Sequence, residues 1–140
     1  MPPSRPDPTD PQEWLRRARS NLAKAKANHD LPEVLYEDLC FDAQQAAEKA
    51  IKAALVHKQI PFPKTHDIIN LLTLLQQGGV EVPEEIRRAD LLTGYAVEAR
   101  YPGISEEVTR EDYVQAVELA EQVVRWVNSL TFPPQKQSGI

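Results

Sequence analysis

Three sets of residues in this chain have types and spacings that could do chemistry. They are Lys64-Thr65-His66-Asp67, the pair Arg100-Tyr101, and the polar members of one alanine-rich run, Gln44, Gln45, Glu48, Lys49 and Lys52. Arg100 offers a planar guanidinium suited to a phosphate. In the last turn of a helix the same cation would instead favour the dipole and bond free carbonyls. Lys64 and His66 precede or open a helix whose free N–H groups could hold an anion. The structural alternative is that Thr65, His66 and Asp67 act together as a cap. Gln45, Lys49 and Lys52, with Gln44 and Glu48, could line a polar groove for a nucleotide or a partner, or could be good helix formers on a solvated face. Phe41 lies on that polar side, in one stripe with Gln45 and Lys52. An aromatic there points to cover by another helix or another subunit. Trp126 makes the same point near the C-terminus, with the same two explanations.

Other chemistries find little support. His29 and His57 stand apart from any metal-ligand companion, and the single cysteine, Cys40, excludes an internal disulfide. Cys40 reads as a small hydrophobe on the core side. There is no glycine-rich phosphate loop and no nucleophile elbow, so neither a metal nor a cofactor is expected. The pairs Glu84-Glu85 and Glu106-Glu107 fall where carboxylates help helix N-termini without chemistry. A formal charge of −5 argues against a large uniform phosphate-binding surface, though not against a local basic patch. No apolar run approaches a membrane span, and the first residues lack the apolar centre of a signal peptide. A cytoplasmic location is the default expectation.

The elements that must position these residues are helices. With 41% hydrophobic and 26% charged residues in 140, the chain suits one soluble domain with a single core. Its 5 glycines and 3 phenylalanines against abundant Ala, Leu, Glu, Lys and Gln favour helix over sheet. Residues 1–10 read as a proline-rich, mobile leader, and 131–140 as a disordered tail. D-P-Q-E at Asp10–Glu13 starts a first helix with Trp14, Ala18, Leu22 and Ala25 inward. A second helix runs from near Pro32 to about Lys58, with Tyr36, Leu39, Cys40, Ala43, Ala47, Ala50, Ile51 and Ala54 on one face. So many alanines let neighbouring helices approach closely, which places this helix at the centre. Glu48 and Lys52 can pair at i,i+4 for roughly 0.2–0.5 kcal/mol. Thr65 caps a third helix, IINLLTLLQQ, stopped by Gly78-Gly79. Pro83 opens a fourth with Ile86, Ala89, Leu92, Ala96 and Ala99 inward, ending near Arg100 because Tyr101 precedes Pro102. T-R-E-D at Thr109–Asp112 caps the last, with Tyr113, Val117, Ala120, Val124 and Val127 inward. No internal repeat occurs. The expectation is an all-α, antiparallel up-and-down bundle of four to five helices over residues 11–130.

Four segments together, W-L-R-R-A at Trp14–Ala18, C-F-D-A-Q-Q-A-A-E-K-A-I-K-A at Cys40–Ala53, K-T-H-D at Lys64–Asp67 and A-R-Y-P at Ala99–Pro102, resemble the HEPN family, helical domains named for higher eukaryotes, prokaryotes and nucleotide binding. The likeness runs over roughly residues 12–130 in the correct order. It implies a helical bundle that commonly dimerises, often encoded beside a small nucleotidyltransferase, in some pairs as toxin and antitoxin. A catalytic subset cleaves RNA without a metal, using an arginine followed, after four to six residues, by a histidine at a dimer cleft. Arg100 matches that arginine. The histidine would fall at Ser105, Glu106 or Glu107, and no histidine follows His66. The departure removes an imidazole whose acid–base help is typically worth on the order of 10²–10⁴ in rate. The resemblance therefore implies a dimeric binding module for a nucleotide or a nucleotidyltransferase partner. The alternatives are a metal-independent endoribonuclease using Arg100 and Tyr101, with His66 a more distant candidate, and a purely structural dimer.

Overall fold

The computed structural model describes residues 6–96 and 106–132. Asp10 starts α1 (Pro11–Ala27) by accepting from the Gln12 N–H at 2.9 Å, with proline at the first helical position. Glu13 pairs with Arg16 and Arg17 at 2.9 and 3.0 Å. The buried residues of α1 are Leu15, Ala18, Asn21 and Ala25, while Trp14 and Leu22 flank them half-buried. Ala18 and Ala25 are thus inward as expected, while Leu15 and Asn21 take the buried places expected of Trp14 and Leu22.

The second helix, α2, spans Tyr36–His57. It begins later than Pro32 because Leu31–Val34 form turns and Leu35 is extended, at φ −83° and ψ 144°. All the alanines from Ala43 to Ala54 are fully buried, so the helix is enclosed on nearly every side. Its C-terminus closes in a Schellman motif: Gln59 N–H bonds Val56 O at 3.0 Å and Ile60 N–H bonds Leu55 O at 2.9 Å, with Gln59 in the left-handed region at φ 59°. The proline-flanked connection follows.

α3 covers Ile68–Gln77. Its cap is Asp67, not Thr65: the Asp67 carboxylate accepts from Ile69 and Asn70 N–H at 3.1 and 3.3 Å, and Thr65 Oγ1 in turn accepts from Asp67 N–H at 3.1 Å. Gly78-Gly79 ends it, with Gly79 at φ 95°. The expected fourth helix is only a single α-helical turn, α4 (Glu84–Arg87), continued by a 3-10 helix over Arg88–Tyr95. Ala89, Leu92 and Tyr95, three apart, line up on one side of a helix with three residues per turn, and the first two are buried. Ala96 follows that helix, and Ala99 lies outside the described residues.

α5 (Arg110–Thr131) opens on a capping box in which Thr109 and Asp112 each bond the other's backbone N–H, at 3.1 and 3.0 Å. Tyr113, Ala120, Val124 and Val127 point inward as their spacing requires, joined by Ala116, Leu119 and Val123. Trp14 faces Lys52 across α1 and α2, and Asn21 faces Asp42 and Lys49, so these helices run antiparallel. Tyr36 at the start of α2 stacks on Tyr113 at the start of α5 at 5.4 Å, and the Tyr113 hydroxyl donates to Ala25 O at the end of α1. Hence α1 runs up, α2 down, the α3 to 3-10 stretch returns, and α5 runs down. The bundle is all-helical, with no strand among the described residues.

Candidate functional site

The line Gln44, Glu48, Lys52, spaced by four, crosses from the alanine face of α2 toward the connection before α3, and the connection closes over it. Glu48 is buried, its side chain 4% exposed. Its Oε2 accepts from Lys52 Nζ at 2.8 Å, and its Oε1 accepts from Gln44 Nε2 at 3.0 Å and faces His66 Nδ1 at 2.8 Å. Gln45 Nε2 extends the chain to Gln44 Oε1 at 2.7 Å. Burial by itself pushes the Glu48 carboxyl up, but the hydrogen bonds from Lys52, Gln44 and His66, with the Lys52 charge, outweigh it and hold the group below its ordinary range.

His66 is a different kind of member. Its side chain is 64% exposed, although one ring nitrogen is bound to a buried carboxylate. Its Nδ1 faces buried Glu48 while the rest of the ring stays exposed, an arrangement in which a carboxylate can orient an imidazole. The α3 N-terminus beside it is not a vacant anion cradle, since Ile69 and Asn70 N–H bond Asp67 and Ile68 N–H bonds Thr93 Oγ1 at 3.3 Å.

Lys52 links this network to a groove of about 690 Å³. Trp14 and Phe62 meet edge to face at 6.2 Å and form its walls with Pro61 and Pro63, while Lys52 Nζ lies 5.9 and 5.8 Å from the two ring centroids. Lys64 stands exposed at its rim. Trp14 Nε1–H donates to Pro8 O at 2.8 Å, tying the described part of the leader to the groove.

The structure therefore divides the residues singled out from sequence. Gln45, Lys52 and His66 join through Gln44 and Glu48, and Lys64 shares the groove with Lys52. Lys49 belongs elsewhere: it donates to Asn21 Oδ1 of α1 at 2.7 Å, and Asn21 in turn donates to Asp42 at 3.1 Å. Burial, reinforced by the Arg17 and Lys24 charges, lowers the Lys49 ammonium from its usual range. Arg100 and Tyr101 lie outside the described residues. Trp14 and Phe62 as groove walls escape sequence reasoning, although the line Gln44–Glu48–Lys52 inside an alanine-rich helix was a readable signal. Among the described residues no group of three His, Cys, Asp or Glu side chains could hold a metal ion. No helix among them is long and apolar enough to cross a membrane.

An all-helical bundle with a buried polar clasp between its second helix and the connection before its third is the class this geometry defines. The chain belongs to the HEPN domain family, whose model matches residues 11–130. It is similar in structure to the archaeal HEPN homologue ST0689, with a TM-score of 0.70 and 26% identity over 87% of this chain and 98% of that one. No curated protein matches the chain significantly.

Proposed function

We propose that this HEPN domain is a binding module, non-catalytic or at most weakly catalytic, that dimerises and engages a nucleotide or a small nucleotidyltransferase partner in a setting of the toxin–antitoxin kind. The observation that carries the reading is the absence of any histidine after His66, so that Arg100 has no imidazole four to six residues beyond it. Without that base, attack of an RNA 2′-hydroxyl loses acid–base help worth on the order of 10²–10⁴. Purified protein assayed on RNA tests it: cleavage that disappears with Arg100→Ala would overturn the reading. Calorimetric titration with ATP and other nucleotides tests binding, and a silent titration favours a purely structural dimer.

Support for the dimer comes from one face. Val114 and Leu91 are half or more exposed, at 50% and 58%, and Leu91 stands one 3-10 turn above Arg88, which shares a cleft with Val114. Gln122 lines the same cleft, and its buried Oε1 has no hydrogen-bond partner among the described residues. A second copy would cover the apolar side chains and can supply a donor. Phe41, half-buried on α2, remains a further candidate for such cover.

The endoribonuclease alternative draws on one specific observation, the exposed His66 ring held by buried Glu48. In that reading His66 replaces the missing imidazole and serves Arg100 and Tyr101. RNA cleavage lost on His66→Gln as well as on Arg100→Ala would favour it.

A further inference from the structure

On the seam between α1 and α2 we infer a phosphate-binding row made by Arg17, Lys24 and Lys49, which takes the phosphates of an RNA strand or of a free nucleotide. The inference rests on the reading of the domain as a nucleotide-binding module and assigns it phosphate contacts other than Arg100. Helix α1 carries five lysines and arginines against one acid, Glu13, so positive charge is concentrated there in a chain whose formal charge is −5. Arg17, Asn21 and Lys24, four and three apart, share one face of α1, and Asp42 and Lys49, seven apart, stand on one line of α2. Two contacts fix the register between them. Lys49 Nζ donates to Asn21 Oδ1 at 2.7 Å, and Lys24 Nζ pairs with Asp42 at 3.2 Å. Lys49 is therefore held beside Asn21, midway between Arg17 and Lys24.

The nearby carboxylates leave this row positive. Glu13 is shared between Arg16 and Arg17, Asp42 is taken by Asn21 and Lys24, and Glu48 by Lys52. Among the described residues Lys49 has no carboxylate within ion-pair distance, and its one hydrogen bond goes to a neutral amide. A half-buried ammonium in that position carries a desolvation cost that an anion offsets. The burial of Lys49, with the Arg17 and Lys24 charges, already disfavours its charged form, and a phosphate placed among the three reverses that repulsion. Donors remain for it. Lys49 uses one of its three N–H groups on Asn21, and Arg17 uses only Nε–H on Glu13, which leaves its Nη hydrogens for a bidentate phosphate contact. Seven residues of helix separate Arg17 from Lys24, about 10 Å along the axis, a span that suits a string of phosphates better than a single ion.

Fluorescence anisotropy with labelled oligouridylate and calorimetric titration with ATP, both on the full chain, test the row. Saturable binding of at least one probe is expected: of the oligouridylate alone if the phosphates belong to a strand, of ATP alone if they belong to a free nucleotide. Arg17→Gln and Lys24→Gln, whose side chains are 49% and 59% exposed, should each weaken binding about fivefold. Lys49→Met should weaken it about tenfold, and Lys49→Arg should retain it, which a purely structural bond to Asn21 would not require. For the oligouridylate, Lys24→Gln should also lower the slope of log affinity against log salt by about one. Thermal melting checks that each variant is folded, and the two exposed substitutions carry the test if Lys49→Met is not. Wild-type binding that all these variants leave unchanged would overturn the row while the nucleotide-binding reading stands. No binding of either probe by the wild type would overturn both.

Discussion

At the scale of single residues, Glu48 determines the most. A buried carboxylate is tolerated only when its lone pairs are occupied, and here Lys52, Gln44 and His66 occupy them. Glu48→Ala should therefore destabilise the domain by about 3 kcal/mol, measured by urea unfolding, because it strands the nearly buried Lys52 ammonium. Its pH dependence has a definite sign. The folded pKa lies below the ordinary glutamate value, so the stabilisation is fully present above that value and is lost as pH falls through the folded one. The stability difference between wild type and Glu48→Gln should accordingly shrink on acidification below about pH 4.5. Tyr113 has the opposite sense: burial, then Cys40 and Tyr36 nearby, push its hydroxyl up, favouring the neutral donor to Ala25 O. Tyr113→Phe should cost about 1 kcal/mol by leaving that carbonyl unpaired, read from the denaturation midpoint. The Glu48–Lys52 pair was legible in the sequence because i,i+4 spacing is local. The His66 contact was not, because 18 residues of chain separate it from Glu48 and only the folded connection joins them.

At the scale of elements, local chemistry explains both what the sequence made visible and what it hid. The α3 limits follow from Asp67 before Ile68 and the glycine pair after Gln77, and the α5 start follows from its capping box. The return segment was hidden by an ambiguity of spacing. Ile86, Ala89 and Leu92 are three apart, a pattern that an α-helix tolerates and a 3-10 helix fits directly. Helix one starts where its cap and proline put it, and Ala18 and Ala25 are buried as their spacing requires, but Trp14 belongs to the groove wall and Leu15 takes the fully buried place. Two substitutions probe these elements. Gln59→Gly should stabilise by about 0.5–1 kcal/mol, since the left-handed position closing α2 suits glycine. Ala50→Leu should destabilise by about 1–3 kcal/mol, because the alanines of α2 are fully buried where its neighbours approach. Thermal or urea unfolding reads both, and an unaffected Ala50→Leu would contradict the close packing assigned to α2.

At the scale of the whole molecule, the family was legible because three of its motifs lie on α1, on the central helix and on the connection before α3. The activity was not, because family membership carries a fold across sequences more reliably than it carries a reacting group. If the proposed dimer forms, light scattering should give a mass near twice the 15.8 kDa of one chain, and Leu91→Glu with Val114→Glu should return it to the monomer. A wild-type monomer would remove the need for a partner copy and leave the exposed pair unexplained. The proposal that the domain binds without cutting depends most directly on one assay: RNA incubated with purified protein, without added metal, compared between wild type and Arg100→Ala. The prediction is no cleavage above the buffer control in either sample. Cleavage by the wild type that Arg100→Ala abolishes would contradict it.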